Sequence, residues 1–268
     1  MHKRKKISIL IHTRSDTSKL KSLLDSKPVR AVEKYKATTR LKFHLDSKPP
    51  GTADKTQRTK RLKITTEKEP HMNIEEQIAD YKPYNEQEAH DQVVMRQLFA
   101  TQPDLFTREN QVAHMTASSW LLNATHDKVL MIYHNIYHSW AWTGGHADGD
   151  RDLLAVAKRE AMEETGVTEI RVISEDIFSL EILTVDGHEK RGVYVPSHLH
   201  LNVTYLLEAD SEEKVSVQAD ENSGVRWFSL EEALAACSEP WMIERVYKKL
   251  NAKVRECFSG MHGMQRGE

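Results

Sequence analysis

From residue 72 onward the spacing of apolar residues switches repeatedly between a helical and a strand period. Residues 74–80 and about 86–100 carry helical spacing, with Val93, Val94, Leu98 and Phe99 on one apolar face and Pro83 separating the two segments. Residues 118–122 and 128–133 are short apolar runs of strand type, joined by the turn-rich Asn123-Ala124-Thr125-His126-Asp127. A helix is predicted over roughly 152–165. Leu153, Leu154, Val156, Ala157 and Ala161 form its buried side, Asp150 or Asp152 its N-cap, and Gly166 its stop. Residues 170–173, 177–185, 198–208 and 224–228 read as strands. Ser229 opens a helix to about 236, with Glu231 and Glu232 in its first turn, and a last helix spans roughly 239–257. Strands interleaved with helices predict an α/β/α sandwich.

The first seventy residues have a different character. They hold 20 Lys and Arg against 7 Asp and Glu, a net of +13, so the remainder carries −15 for a total of −2. Apolar residues are sparse, a short echo (Leu24-Asp25-Ser26-Lys27-Pro28 and Leu45-Asp46-Ser47-Lys48-Pro49) recurs, and low order is expected over 1–71. This basic arm either gathers nucleic acid by counterion release or is a dispensable tail; Met72 opens an ordinary amphipathic domain start. The expected division is therefore a basic N-terminal extension (1–71) and one domain (72–268), of which 72–115 is a helical elaboration. Only Cys237 and Cys257 occur, without metal-ligand spacing, which argues against a disulfide scaffold and fits a reducing cytoplasm. No apolar run approaches the roughly 20 residues that span a bilayer. After Lys3–Lys6 the apolar stretch is too short for a signal peptide.

The chemistry concentrates in residues 145–167, GHADGDRDLLAVAKREAMEETGV. Glu160, Glu163 and Glu164 fall at i, i+3 and i+4, so one helix face carries three carboxylates. Such a repulsive set is stabilised by a cation, and oxygen ligands of high charge suit Mg²⁺ or Mn²⁺. Gly144 and Gly145 ahead of the helix let backbone approach the same ion closely. The segment resembles the Nudix box, G-x5-E-x7-R-E-U-x-E-E-x-G-U with U apolar. Gly145, Arg159, Glu160, Ala161, Glu163, Glu164, Gly166 and Val167 match at the required spacings. One position departs: Arg151 stands where the pattern has its first Glu, flanked by Asp150 and Asp152.

The resemblance covers about 116–250 and implies a Nudix-type sandwich with a mixed sheet and a hydrolase that cleaves a nucleoside diphosphate derivative by attack of water on phosphorus. It further implies that Glu160, Glu163 and Glu164, with the Gly144 or Gly145 carbonyl, hold Mg²⁺ or Mn²⁺, and that Glu160 or Glu163 serves as base. Arg159 would fix a box carboxylate, unless it only pairs with Glu163 across one turn. Glu221, just before the strand at 224–228, is a further acidic candidate. His198, His200 and Asn202 share one strand face and, with His146, are candidate substrate contacts. Zinc is disfavoured there, because no Cys or third His stands close in sequence. His134, His138, Trp140 and Trp142 precede the box, where core packing and base stacking are both open. A small nucleotide substrate and no membrane partner complete the expectation; the oligomeric state is open, although Nudix proteins are often dimers and a homodimer is one option.

Alternatives in other classes are a lapsed nucleotide-binding regulatory module, hinted at by Arg151, and an RNA-end-processing enzyme that uses the basic arm. An isomerase would want a cleft cysteine, which Cys237 and Cys257 do not supply. Deleting residues 1–71 tests the RNA reading: RNA affinity should collapse and its salt dependence flatten.

Overall fold

The computed structural model describes residues 72–190 and 192–259, together with three short strands before them, and divides into two compact units, Met1–His71 and Met72–Glu268. In the first unit, β1 (Ile9–Leu10), β2 (Leu41–Leu45) and β3 (Leu62–Thr66) form a sheet in the order β1-β3-β2. β1 runs parallel and β2 antiparallel to β3. The low order expected for 1–71 otherwise falls outside the described residues.

The second unit opens with α1 (Ile74–Asp80) and α2 (Glu86–Thr101), capped by Asn73 and Asn85. Then follow β4 (Ala113–Leu122), β5 (Lys128–His134), β6 (Ser139–Ala141), β7 (Thr143–His146) and α3 (Leu153–Thr165). Beyond α3 come β8 (Arg171–Val172), β9 (Ser179–Val185), the hairpin β10 (His188–Lys190) and β11 (Val193–Val195), β12 (His198–Glu208) and β13 (Asn222–Ser229). The chain closes with α4 (Leu230–Ala236) and a π-helical turn (Met242–Tyr247) that runs into α5 (Lys248–Phe258). The central sheet is mixed, ordered β13-β5-β4-β12-β8, with β6 on β5, β7 on β4 and β9 on β12. β12 is parallel to β4; the other pairings are antiparallel. Helices cover both faces, so the unit is the α/β/α sandwich expected.

The helix stripe at Leu153, Val156, Ala157 and Ala161 packs on Met115, Ala117, Leu201, Val203 and Tyr205 on one face of the sheet. Full burial of a Leu or Val side chain contributes about 1.5–3 kcal/mol, so this stripe fixes the depth of α3. On the opposite face Val246, Tyr247, Leu250 and Val254 pack on Trp120, Leu122, Met131, Leu206 and Phe228. Trp140 and Trp142 belong to this second cluster and so serve the core.

Several boundaries differ from the expectation. β4 begins at Ala113, five residues before the predicted 118, because His114, Thr116 and Ser118 interrupt the apolar pattern. All three are nonetheless buried; Thr116 and Ser118 donate to Asn202 of the neighbouring strand, and His114 Nδ1 meets the Asn110 carbonyl oxygen. Gly144 and Gly145, ahead of the helix, lie in a strand that the sequence pattern does not predict, β7, and pair with Ser118 and Ala117. The predicted strand at 170–173 shrinks to Arg171–Val172.

Helix α2 covers the edge strand β9, and its Asp91 carboxylate accepts the Ile182 amide at 3.1 Å, a device that blocks further strand pairing. Nearby, Glu88 and Glu181 are fully buried and share Lys249, whose Nζ lies 3.0 Å from Glu88 and 2.9 Å from Glu181. Tyr81 donates to Glu88 at 2.8 Å, as does Ser179 at 2.8 Å. Burial alone would raise the Glu88 pKa, but the Lys249 and Lys253 ammonium groups, the Tyr84 amide and the Ser179 hydroxyl outweigh it and hold the carboxyl below its usual range. Removing one partner of a buried pair strands the other charge, which costs about 3–5 kcal/mol. Lys249→Ala is therefore expected to lower the unfolding free energy by about that much in urea titrations, whereas Lys248→Ala, on the exposed pair with Glu244, should stay within about 0.5 kcal/mol of wild type.

Candidate active site

Strand β7 sets the two box glycines against α3. At Gly145 an added Cβ would lie 2.3 Å from the Glu160 carboxylate, so only glycine lets that carboxylate rest against the strand. At Gly144 a Cβ would sit 2.4 Å from the Ser118 hydroxyl oxygen, and the Gly144 amide donates to Glu164 Oε2 at 2.9 Å. Asp152 caps α3 by accepting from the Ala155 amide at 3.0 Å, and Gly166 ends it in the left-handed region at φ 75°.

Glu164 is buried, and burial pushes its carboxyl well above the ordinary range. The Gly144 amide opposes that rise, while the charges of Glu160, Glu221 and Glu163 add to it. Burial likewise raises Glu160, reinforced by Glu163 and Glu221 and opposed by Arg159. The fold therefore brings Glu160 and Glu164 together, with Glu163 on the exposed rim. Glu221 lies near the same cluster, where its charge adds to the rise at Glu160 and Glu164. It is exposed, but its neighbour Asn222 is buried and donates to the Glu164 carbonyl at 2.9 Å, which ties the loop to the end of α3. A register irregularity between Asn222 and Val225 of β13 turns the strand there.

Arg159 lies 3.4 Å from Glu160 and 3.6 Å from Asp150, not in a one-turn pair with Glu163. Asp150 thus supplies the acid that faces the box arginine. Arg151 points elsewhere, over the Phe106 ring at 4.2 Å and 3.6 Å from Glu75. Sequence reasoning passed over Arg108, which lies in the 102–112 connection. It forms a two-pronged ion pair with Asp148, which raises its pKa, and the charges of Glu160 and Glu221 add to that rise. No motif marks it in the sequence.

The histidines gather on the other face of the sheet. Gly145 faces Glu160, so the alternation of a strand turns His146 away from α3. His146 meets His198 and His200 of β12 and also His114 of β4, paired in register with His200. Burial, then the neighbouring His146, His114 and His198, push His200 down to about 2, so it is held neutral. Sequence proximity offers His198 and His200 no third histidine, but two more arrive from neighbouring strands, a juxtaposition that sequence distance hides. Below them Asn202 accepts from Thr116 at 3.0 Å and Ser118 at 2.9 Å. His134 and His138 lie outside both groups, at the β5–β6 turn.

Comparison with known proteins agrees with the box. The family model of the NUDIX domain matches residues 112–250. A curated relative, the bis(5'-nucleosyl)-tetraphosphatase [asymmetrical] of Mus musculus, is 27% identical over 112 residues, which cover 41% of this chain and 69% of that protein. Solved structures similar to it include a C. elegans Ap4A hydrolase binary complex (TM-score 0.39, 19% identity, 56% of this chain and 98% of that one). A NUDIX family hydrolase from Clostridium perfringens is another (TM-score 0.37, 20% identity, 52% and 97%). The chain belongs to the NUDIX family, and it is a hydrolase acting on phosphoric anhydrides.

The position of Asp150 generates a contrast. Asp150→Asn removes the charge opposite Arg159 and should lower kcat/KM for anhydride hydrolysis about tenfold or more, an effect of order 1.4 kcal/mol or above. Arg151→Glu, which restores the box consensus at a side chain turned away from the cluster, should change it less than about threefold.

Proposed function

We propose that this hydrolase is a Mg²⁺- or Mn²⁺-dependent pyrophosphohydrolase that cleaves a nucleoside diphosphate derivative by attack of water on phosphorus. The observation that carries the reading is the packing of Glu164 and Glu160 against Gly144 and Gly145, with Glu163 and Glu221 close enough to raise both. Burying like charges together is costly, and hard divalent cations bound by carboxylate and backbone oxygens relieve that cost. The donor set therefore fits: Glu160, Glu164 and the Gly145 carbonyl would hold the ion, with Glu163 and Glu221 at its margin. Bound there, such an ion polarises phosphoryl oxygens and makes water more acidic.

The chain's own groups divide the remaining work. Arg159, oriented by Asp150, keeps the Glu160 carboxylate turned toward Gly145. Glu160 or Glu163 accepts the proton of the attacking water. Arg108, paired with Asp148 near the same cluster, offers a cation to a polyphosphate. The Asp150–Arg159 contact supports activity over a lapsed regulatory role, since an acid beside Arg151 faces the box arginine. Dinucleoside polyphosphates are the first substrates to try, a choice supported by the name of the mouse relative.

The test is hydrolysis of a panel with Mg²⁺ or Mn²⁺: dinucleoside polyphosphates, nucleoside diphosphate sugars, ADP-ribose and oxidised nucleoside triphosphates. Glu160→Gln and Glu163→Gln are run alongside. Metal-dependent turnover that each variant lowers by about 10²–10³ is expected, the scale of losing one preorganised charge-stabilising group. Nucleotide binding without turnover of any compound would overturn the reading in favour of a regulatory module.

A further inference from the structure

The four histidines behind the box strand carry a separate reading. The Nε2 atoms of His146 and His198 each lie 3.2 Å from His200 Nε2, and one ligand atom from each of the four residues falls within 4.8 Å of the others. Imidazole nitrogens bound to zinc at 2.0–2.1 Å in a tetrahedron stand about 3.3–3.4 Å apart. The closest contacts already match that edge.

Hydrogen bonding does not account for them. A ring nitrogen is a donor or an acceptor, not both. His198 Nδ1 lies 2.8 Å from the Pro196 carbonyl oxygen, so it carries the proton and leaves Nε2 with a lone pair. His114 Nδ1 lies 3.0 Å from the Asn110 carbonyl oxygen, which leaves its Nε2 as the free lone pair. His114 is 4% exposed, and this Nε2 has no hydrogen-bond partner among the described residues. Its ring centroid stands 4.8–5.1 Å from those of the other three histidines. A proton on His200 Nε2 would serve two contacts at once and still leave His114 unserved.

We infer that His114, His146, His198 and His200 form a closed four-coordinate site for a divalent transition metal of the zinc class. Imidazole suits such ions, whereas the oxygen donors around Glu160 suit harder ones, so the two sites select different metals. Both carbonyl contacts at Nδ1 are of the kind that orient a ligating histidine. Four protein ligands leave no open position, so the role is to hold structure. The ion would join β4, β7 and β12 directly behind Gly144 and Gly145, on the face away from α3. The inference does not rest on the proposed hydrolysis.

The test uses the full chain, purified without a metal-affinity step, stripped with a chelator and titrated with Zn²⁺ and, separately, Co²⁺. One zinc per chain is expected, with a rise in Tm, and the cobalt form should show the intense visible bands of four-coordinate geometry. His200→Asn and His114→Gln should each weaken zinc binding by more than the 10–100-fold that loss of a mere supporting partner produces, and should abolish the Tm rise. Glu160→Gln should keep the zinc site intact while losing turnover, which separates failure of one reading from failure of the other. Absence of stoichiometric zinc, a six-coordinate cobalt spectrum, or unchanged binding in both histidine variants would each overturn the inference. If a variant does not fold, judged by circular dichroism, the wild-type stoichiometry and cobalt spectrum decide.

Discussion

The absence of a side chain at Gly145 is the constraint on which the site depends. It lets the Glu160 carboxylate occupy the volume a Cβ would fill, so α3 lies against β7 with Glu160 and Glu164 toward the strand. With α3 at that depth, Glu164 meets the Gly144 amide, and the Glu164 carbonyl is in reach of Asn222. Asn222 in turn fixes the loop that carries Glu221. A larger residue at 145 would disturb this chain of contacts at its first link, although it touches none of the others.

The sheet separates two kinds of chemistry by a single residue step. Hard oxygen donors gather on the α3 side of β7, and imidazoles gather behind it. The imidazole face continues along β12 through Asn202 and Thr204 to Glu181 and Lys249, a polar stripe on an otherwise apolar sheet face. In a low-dielectric interior such a stripe persists only when its members satisfy one another. Asn202 meets that condition by bonding Thr116, Ser118, Thr204 and Glu181 at once.

Legibility in the sequence followed the range of the interactions. Helix α3, its Asp152 cap and its Gly166 stop depend on neighbours within a turn, and the pattern read them directly. The carboxylate cluster was legible because a helix brings i, i+3 and i+4 together whatever the fold. His114 was not, since only the parallel pairing of β4 with β12, strands 86 residues apart at Thr116 and Asn202, sets it beside His200. The start of β4 was lost for the same reason: its polar residues look like surface until their partners are known. Arg108 belongs to no periodic element, and the approach of Asp150 to Arg159 is set by the loop geometry ahead of α3, not by a repeat.

The buried Glu88–Lys249–Glu181 network also redraws the folding unit. Glu88 belongs to α2, before the matched NUDIX segment begins at residue 112, and α5 runs past its end at 250 to carry Lys253, which bonds Tyr81 at 2.8 Å. Trimmed to the family boundaries, the chain would keep Glu181 and Lys249 while losing Glu88, Tyr81, Lys253 and the cover on edge strand β9. The helical hairpin at the start and the last helix are thus integral to the sandwich, and a fragment cut at the family limits would expose a polar core and an open strand to self-association.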